Sequence, residues 1–193
     1  MSSGTIAAIG GTGCACLLVV VVLGWGLLAY NRLVRQRNQV DASWAQIDVQ
    51  LKRRYDLIPN LVETVKGYAA HERGTLDAVV QARNGAVAAA GQGPAGRADA
   101  ENVLSQTLGR LFALAEAYPN LKANENFAAL QGELAGTEDK IAYARQFYNA
   151  SVQTYNTSTQ TIPTNIVAGL GGFRARDLFQ TAGDERGPVQ VRF

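Results

Sequence analysis

The chain has 193 residues, 47% of them apolar, with a formal net charge of +2, one histidine and two cysteines. That is enough chain and apolar side chain for one domain with a core, while the charge is too small to specify a nucleic-acid surface without a concentrated basic face, so no nucleic-acid partner is expected. Cys14 and Cys16 are too few and too close for a disulfide framework or a tetrahedral zinc site, and they precede the apolar run where a processed lipoprotein cysteine would follow it.

After a short N-terminus, residues 1–5, the first element is the run "IAAIGGTGCACLLVVVVLGWGLLAY" from Ile6 to Tyr30, which carries no charge. Its 25 residues exceed the ~20 that a helix needs to cross the hydrocarbon of a bilayer. A cleaved signal peptide would have a basic n-region and a shorter apolar stretch, and "MSSGT" has no Lys or Arg. A retained transmembrane helix over 6–30 is expected, with the lipid bilayer as partner. Arg32, Arg35 and Arg37 follow it, and the positive-inside rule places them in the cytoplasm with the N-terminus outside. Ala7, Gly11 and Ala15 fall four apart on one helix face, a stripe that lets membrane helices pack closely. A loose, Gly-rich helix start is the alternative.

Beyond the membrane, Leu33, Val40, Trp44, Ile47, Leu51 and Ile58 recur seven, four, three, four and seven apart, an amphipathic helix close to a heptad seam. No Gly or Pro lies between Gly26 and Pro59, so the transmembrane helix is expected to continue into it as a stiff stalk of ~40 Å. The stretch "LKRRYDLIPNLVE" then reads as a corner. Pro59 disfavours helical geometry before it and suits a first helical turn. Asp56 would cap the new helix, Glu63 would favour its positive end, and Arg53 and Arg54 would offset the negative end of the old one.

The next helix carries Leu61, Val65, Tyr68, Leu76, Val79 and Val80 and ends in the Gly-rich stretch at residues 91–96. A third has Leu104, Leu108, Leu111, Ala115 and Tyr118 on one face and closes at Pro119. In the fourth, Phe127, Leu134, Ile141, Tyr148 and Tyr155 are seven apart beside the smaller row Leu130, Thr137, Ala144, Ser151 and Ser158. A large row beside a small one suits close helix packing, so the fold class is all-α: a transmembrane helix running into a long antiparallel bundle of about four helices over residues 31–162. Residues 163–193 form a docked or extended tail anchored by Phe173, Leu178 and Phe179. The alternation of Val189, Val191 and Phe193 with Gln190 and Arg192 reads as a strand that adds to another subunit or, on the plainer reading, as part of that docked tail.

Chemistry is sparse. With one histidine, His71, a histidine-rich metal site cannot be built in one subunit, and "HERGT" lacks the second histidine of a zinc-protease helix. No nucleophile elbow or phosphate loop occurs. No catalytic residue, metal or cofactor is assigned, and no enzymatic activity is expected. The polar motif Arg53, Arg54, Asp56, Pro59, Asn60 and Glu63 remains as a structural or interaction element.

The residues "YN.LV" from Tyr30, "W.QI.V.LKRR.DLIPNLV" from Trp44 to Val62, "VKGYA.HE" from Val65 to Glu72, and "YPNLKANENF..LQ.EL..TE.KIA.AR..YN..V..YN" from Tyr118 to Asn156 resemble the LemA family. The resemblance covers residues 30–193, with the least agreement between Phe173 and Gly187. It implies a single-pass protein of the bacterial cytoplasmic (inner) membrane with an antiparallel helical bundle and no established enzymatic activity, one branch of which acts in building magnetosome membranes. The expectation is a membrane-anchored scaffold that forms a homo-oligomer and organises membrane or other membrane proteins. Its alternative is an adaptor or sensor in envelope stress that binds a membrane protease or another partner.

Overall fold

The computed structural model describes the backbone of residues 3–69 and 71–180, and side chains from Leu17 onward within those ranges. Six α-helices form: α1 (Ser3–Lys66), α2 (Arg73–Ala88), α3 (Pro94–Ala115), α4 (Pro119–Lys122), α5 (Glu125–Gln160) and α6 (Thr164–Leu170), with no strand among the described residues. The stretch with strand-like alternation at 189–193 lies outside them. Ala7, Gly11 and Ala15 lie on the helical backbone of α1, but their side chains are also outside the described residues. The described residues fall into two compact units, one of 3–41 with 151–176 and one of 42–150 with 177–180.

The larger unit is an up-down-up-down bundle. Asp48 meets Arg97 and Glu72 meets Tyr118, so α3 runs parallel to α1. Trp44 meets Tyr148, Arg53 meets Glu133 and Tyr68 meets Asn124, so α5 runs antiparallel to it. The core is made by the residues whose spacing predicts it: Ile47, Leu51, Ile58, Leu61 and Val65 of α1, Leu76 and Val79 of α2, Leu104 and Leu111 of α3, and Phe127, Leu134, Ile141 and Tyr148 of α5 are all buried. Each contributes roughly 1.5–3 kcal/mol by leaving water. Thr137 and Ala144 of the small row are buried beside them, which is what lets the neighbouring helices approach.

Helix ends follow local chemistry. Pro94 and Pro119 occupy the first turns of α3 and α4, where a missing N–H costs nothing. The Asn124 side chain accepts a hydrogen bond from the Phe127 N–H at 2.9 Å and caps α5. α3 ends at Ala115, so Pro119 opens a short helix and does not close the long one.

Two further expectations are corrected. Pro59 is no corner: α1 runs through it to Lys66, and the turn into α2 falls at residues 67–72. Nor is α1 a bare stalk beyond Tyr30. In the smaller unit Leu33 and Val40 are buried, together with Val152 and Tyr155 of α5, Ala168 of α6 and Phe173. The amphipathic pattern of α1 announces a buried face, but its partners lie more than a hundred residues further along the chain, which periodicity does not reveal.

The same unit exposes an apolar surface. Leu17 to Leu23 are 57–68% exposed, Leu27 66% and Leu28 70%, on the one helix among the described residues that is long and apolar enough to cross a membrane. α6 ends in a Schellman motif: Gly172 has φ +68°, the Phe173 N–H donates to Ala168 O at 2.9 Å, and the Gly172 N–H to Gly169 O at 3.4 Å. Only glycine takes that φ without strain, so "GLGG" is a stop signal read by the backbone.

Candidate functional site

Because α1 passes straight through "LKRRYDLIPN", the residues of the motif are distributed around one helix. Arg53, Asp56, Asn60 and Glu63 share an exposed face within about 80° of arc at 3.6 residues per turn, and Arg54 points into the bundle. Asp56 caps no helix; it pairs with Lys52 at 2.7 Å. Glu63 stands 4.0 Å from Lys66, and Arg53 pairs with Glu133 of α5 at 3.0 Å across half-exposed side chains. Such surface pairs contribute roughly 0–1 kcal/mol.

Pro59 in a helix interior leaves the carbonyl of Tyr55, four residues back, without its N–H donor. The structure supplies a replacement: Arg83 Nε of α2 donates to Tyr55 O at 2.9 Å. Pro59 thereby makes a backbone acceptor for a neighbouring helix, and the fold answers with a guanidinium from the "AR" pair at Ala82 and Arg83. Nothing in the spacing of Pro59 and Arg83 signals this link; the clue is an arginine on an otherwise weakly charged helix.

Inward of that link lies a buried polar cluster. Arg54 is 2% exposed, Arg97 3%, Glu101 5% and Tyr55 6%. Arg54 donates to Ser105 Oγ at 2.8 Å and pairs with Glu138 at 3.0 Å and Glu101 at 3.8 Å. Arg97 pairs with Asp48 and lies 4.0 Å from Glu101 through its Nε. Tyr55 donates its hydroxyl to Glu101. Two guanidiniums thus flank one buried carboxylate, and the half-exposed carboxylates of Asp48 and Glu138 stand at the rim. Burial pushes the Glu101 carboxyl up from its ordinary range, against the hydrogen bond from Tyr55 and the two arginines that pull it down. The Tyr55 phenol is pushed up to about 12, first by burial and then by its bond to Glu101. Arg54 Nε, Arg97 Nε and Glu101 Oε2 have no hydrogen-bond partner. This cluster fixes side chains of α1, α3 and α5 against one another. Arg54 was singled out by sequence; Arg97, Glu101 and Ser105 were missed, since isolated polar residues on an amphipathic helix read as its solvated face.

The cluster borders an aromatic stack. Arg97 lies over the Trp44 ring at 5.6 Å, and Trp44 packs on Tyr148 at 5.2 Å and edge-on to Phe179 at 5.4 Å. Phe179 is held by its backbone as well: its N–H donates to Asn149 Oδ1 at 2.9 Å and its carbonyl accepts from Asn149 Nδ2 at 3.0 Å. Asn156 grips Arg176 in the same two-bond manner, at 2.9 and 2.8 Å. The repeated "YN" of "YNASVQTYN" is therefore a pair of amide clamps, each reading an extended residue of the tail as a strand would. Phe173 and Phe179 are buried and Leu178 half-buried.

On the outer side of α1 and α5, Ala45, Gln46, Val49 and Gln50 face Asp139, Lys140, Tyr143 and Ala144 across an open groove of ≈ 540 Å³. Val49 is 64% exposed and Tyr143 72%. Among the described residues no group of three or more His, Cys, Asp or Glu could hold a metal ion.

Residues 43–193 match the model of the LemA family. Over 194 residues the chain is 29% identical to "Magnetosome protein MamQ 2" of Paramagnetospirillum magneticum, a match that spans 87% of this chain and 71% of that protein. It is 28% identical over 184 residues to "Magnetosome protein MamQ" of Magnetospirillum gryphiswaldense, spanning 82% of this chain and 68% of that protein. It is 25% identical over 161 residues to "Protein LemA" of Metamycoplasma hominis, spanning 83% and 73%.

Proposed function

This chain belongs to the LemA family, and from that premise we propose that it is a non-enzymatic, membrane-anchored helical scaffold that self-associates and organises the membrane or other membrane proteins. The observation that carries the reading is where its apolar side chains remain exposed. One set, Leu17 to Leu28, covers a helix fit to cross a bilayer; another, Val49 and Tyr143, lines a groove on the bundle. Large exposed apolar side chains grouped in one place mark interaction surfaces. The magnetosome named in two relatives is a point of agreement with a membrane-organising role.

The groove suits a second copy of the chain. Its opposite charges, Asp139 and Lys140, sit beside the apolar pair, so a symmetric partner could satisfy both at once. Native mass measurement of the detergent-extracted chain tests this: assemblies of two or more copies are expected, and Tyr143→Glu should shift them towards monomer. A monomer at high concentration in mild detergent would sink the scaffold; one that co-purifies with a different membrane protein would favour the adaptor.

Arg32, Arg35 and Arg37 support an orientation, by the positive-inside rule, with the bundle in the bacterial cytoplasm and the N-terminus across the inner membrane. Protease added outside intact cells should leave residues beyond Arg37 uncut. Digestion of the bundle would overturn this topology.

A further inference from the structure

The unit built from residues 3–41 and 151–176 carries an apolar surface besides the flank of α1. An open groove of ≈ 610 Å³ runs between Val22, Leu23, Leu27 and Tyr30 of α1 and Ile166 and Leu170 of α6. Ile162, Ile166 and Leu170 are four apart and 82, 61 and 88% exposed, while Ala168 is turned inward at 2%. A single exposed leucine needs no explanation, but two large apolar side chains on one face of a seven-residue helix, with a third, Ile162, exposed in the turn that leads into it, do. The helix is amphipathic with its apolar side outward.

Two observations identify what covers it. The α1 wall of the groove is the apolar run itself: Val22 precedes Tyr30 by eight residues, which is ~12 Å along the helix. α6 therefore lies beside a part of α1 that a bilayer surrounds. The charge pattern agrees, because no Asp, Glu, Lys, Arg or His occurs between Arg145 and Arg174, and after α6 charge resumes at Arg174, next to the Phe173 that packs against Tyr30. Tyr30 packs edge-on to Phe173 at 5.4 Å, and the Arg37 guanidinium lies over the Phe173 ring at 5.5 Å. Aromatic rings followed by arginines are the arrangement of a membrane–water boundary.

We propose that α6 is embedded in the leaflet on the arginine-rich side of α1, with Ile162, Ile166 and Leu170 against lipid acyl chains. The chain then meets the bilayer twice, through a spanning helix and a short interfacial one. Backbone chemistry permits it: Pro163 has no N–H to leave unpaired, the Asn165 N–H donates to Thr161 O at 2.8 Å, and the Schellman motif returns the last N–H groups of the segment to α6. Water would make the same exposure unfavourable, whereas lipid turns it into attachment.

This inference rests on α1 crossing the membrane, so its test probes both. In the full chain with Cys14→Ser and Cys16→Ser, single cysteines are placed by Val20→Cys, Ile166→Cys, Leu170→Cys and, on α2 of the bundle, Val80→Cys. Each is labelled with an environment-sensitive fluorophore and reconstituted in phosphatidylcholine vesicles with or without bromine on the acyl chains. Only variants with wild-type helicity are compared. The expected result is quenching by brominated lipid at 20, 166 and 170, several-fold stronger than at 80. Quenching at 20 alone would overturn the embedding of α6 and leave the anchor standing, and so would a blue-shifted but unquenched label at 170, which would mean that protein covers the groove. No quenching at 20 would overturn the anchor and this inference with it.

Discussion

The link between Pro59 and Arg83 makes a quantitative claim. A proline inside a helix costs about 3 kcal/mol or more, part of it the carbonyl four residues back that loses its donor. Here that carbonyl, Tyr55 O, accepts from Arg83 Nε at 2.9 Å in a part-buried setting. A hydrogen bond from a charged donor is worth roughly 1.5–3 kcal/mol, and a buried acceptor left without a partner loses about that much. Arg83→Met keeps most of the aliphatic stem and removes the donor, so it should destabilise by about 1.5–3 kcal/mol. Pro59→Ala restores a backbone N–H to Tyr55 O, after which the guanidinium is one of two donors and its removal should cost only about 0.5–1 kcal/mol. The two substitutions should therefore couple by about 1–2 kcal/mol. Denaturant unfolding of the detergent-solubilised chain, followed by far-UV circular dichroism with the slope held constant across the four variants, measures that coupling. Additivity within about 0.5 kcal/mol would refute the reasoning, since it would mean that Arg83 acts independently of the bond Pro59 withholds.

Arg53→Ala and Arg54→Ala should differ sharply: about 0–1 kcal/mol for the half-exposed Arg53–Glu133 pair, and about 3–5 kcal/mol for Arg54, whose loss strips Glu101 of a buried counter-charge; thermal unfolding of both variants checks the ratio. The raised Glu101 carboxyl gives a pH dependence. Above the ordinary Glu value of about 4.3 the folded state binds the extra proton, so stability falls as pH rises from there through the folded value, and Glu101→Gln should flatten that slope in unfolding midpoints taken across the window. A wild-type-minus-variant difference that does not change with pH would contradict it. Asn149→Ala removes two hydrogen bonds to Phe179, about 1–3 kcal/mol in all, and should speed tryptic cleavage after Arg176 roughly tenfold or more, with the bundle's helicity unchanged.

What could be read in advance was whatever depends on periodicity. The seven-residue rows on α5 and the apolar spacing on α1 predict which residues are buried, because core packing of helices samples one face every three to four residues. Ile47, Leu51, Phe127, Ile141 and Tyr148 are inside for that reason. Local punctuation misled where tertiary contacts override it. Pro59 is a helix breaker by its own chemistry, and only a side chain from α2, twenty-four residues on, makes it tolerable. Gly67, a weaker signal, is where α1 has just ended. The polar site was the least legible part: Arg97 and Glu101 have the i, i+4 spacing of an ordinary surface pair, and nothing in that spacing says that both are buried.

The two adjacent arginines of the motif occupy two different environments. Arg53 and Arg54 are 100° apart on one helix, so only one can face the core. Arg53 meets α5 at the surface, while Arg54 enters a cluster of two guanidiniums and a carboxylate from α1 and α3. At 3.8 Å the attraction between Arg54 and Glu101 is about 4 kcal/mol at an effective dielectric of 20. Removing each ion from water costs several kcal/mol. The cluster therefore adds little net stability, and an apolar core would hold as well. It imposes register instead: α3 can slide by one turn along α1 and still bury leucines, but only one register places Tyr55 against Glu101, Arg97 against Asp48 and Arg54 between Ser105 and Glu138. For a bundle whose helices repeat apolar residues every three to seven positions, slippage is the nearest competing structure, and every slipped register would leave buried charges unpaired.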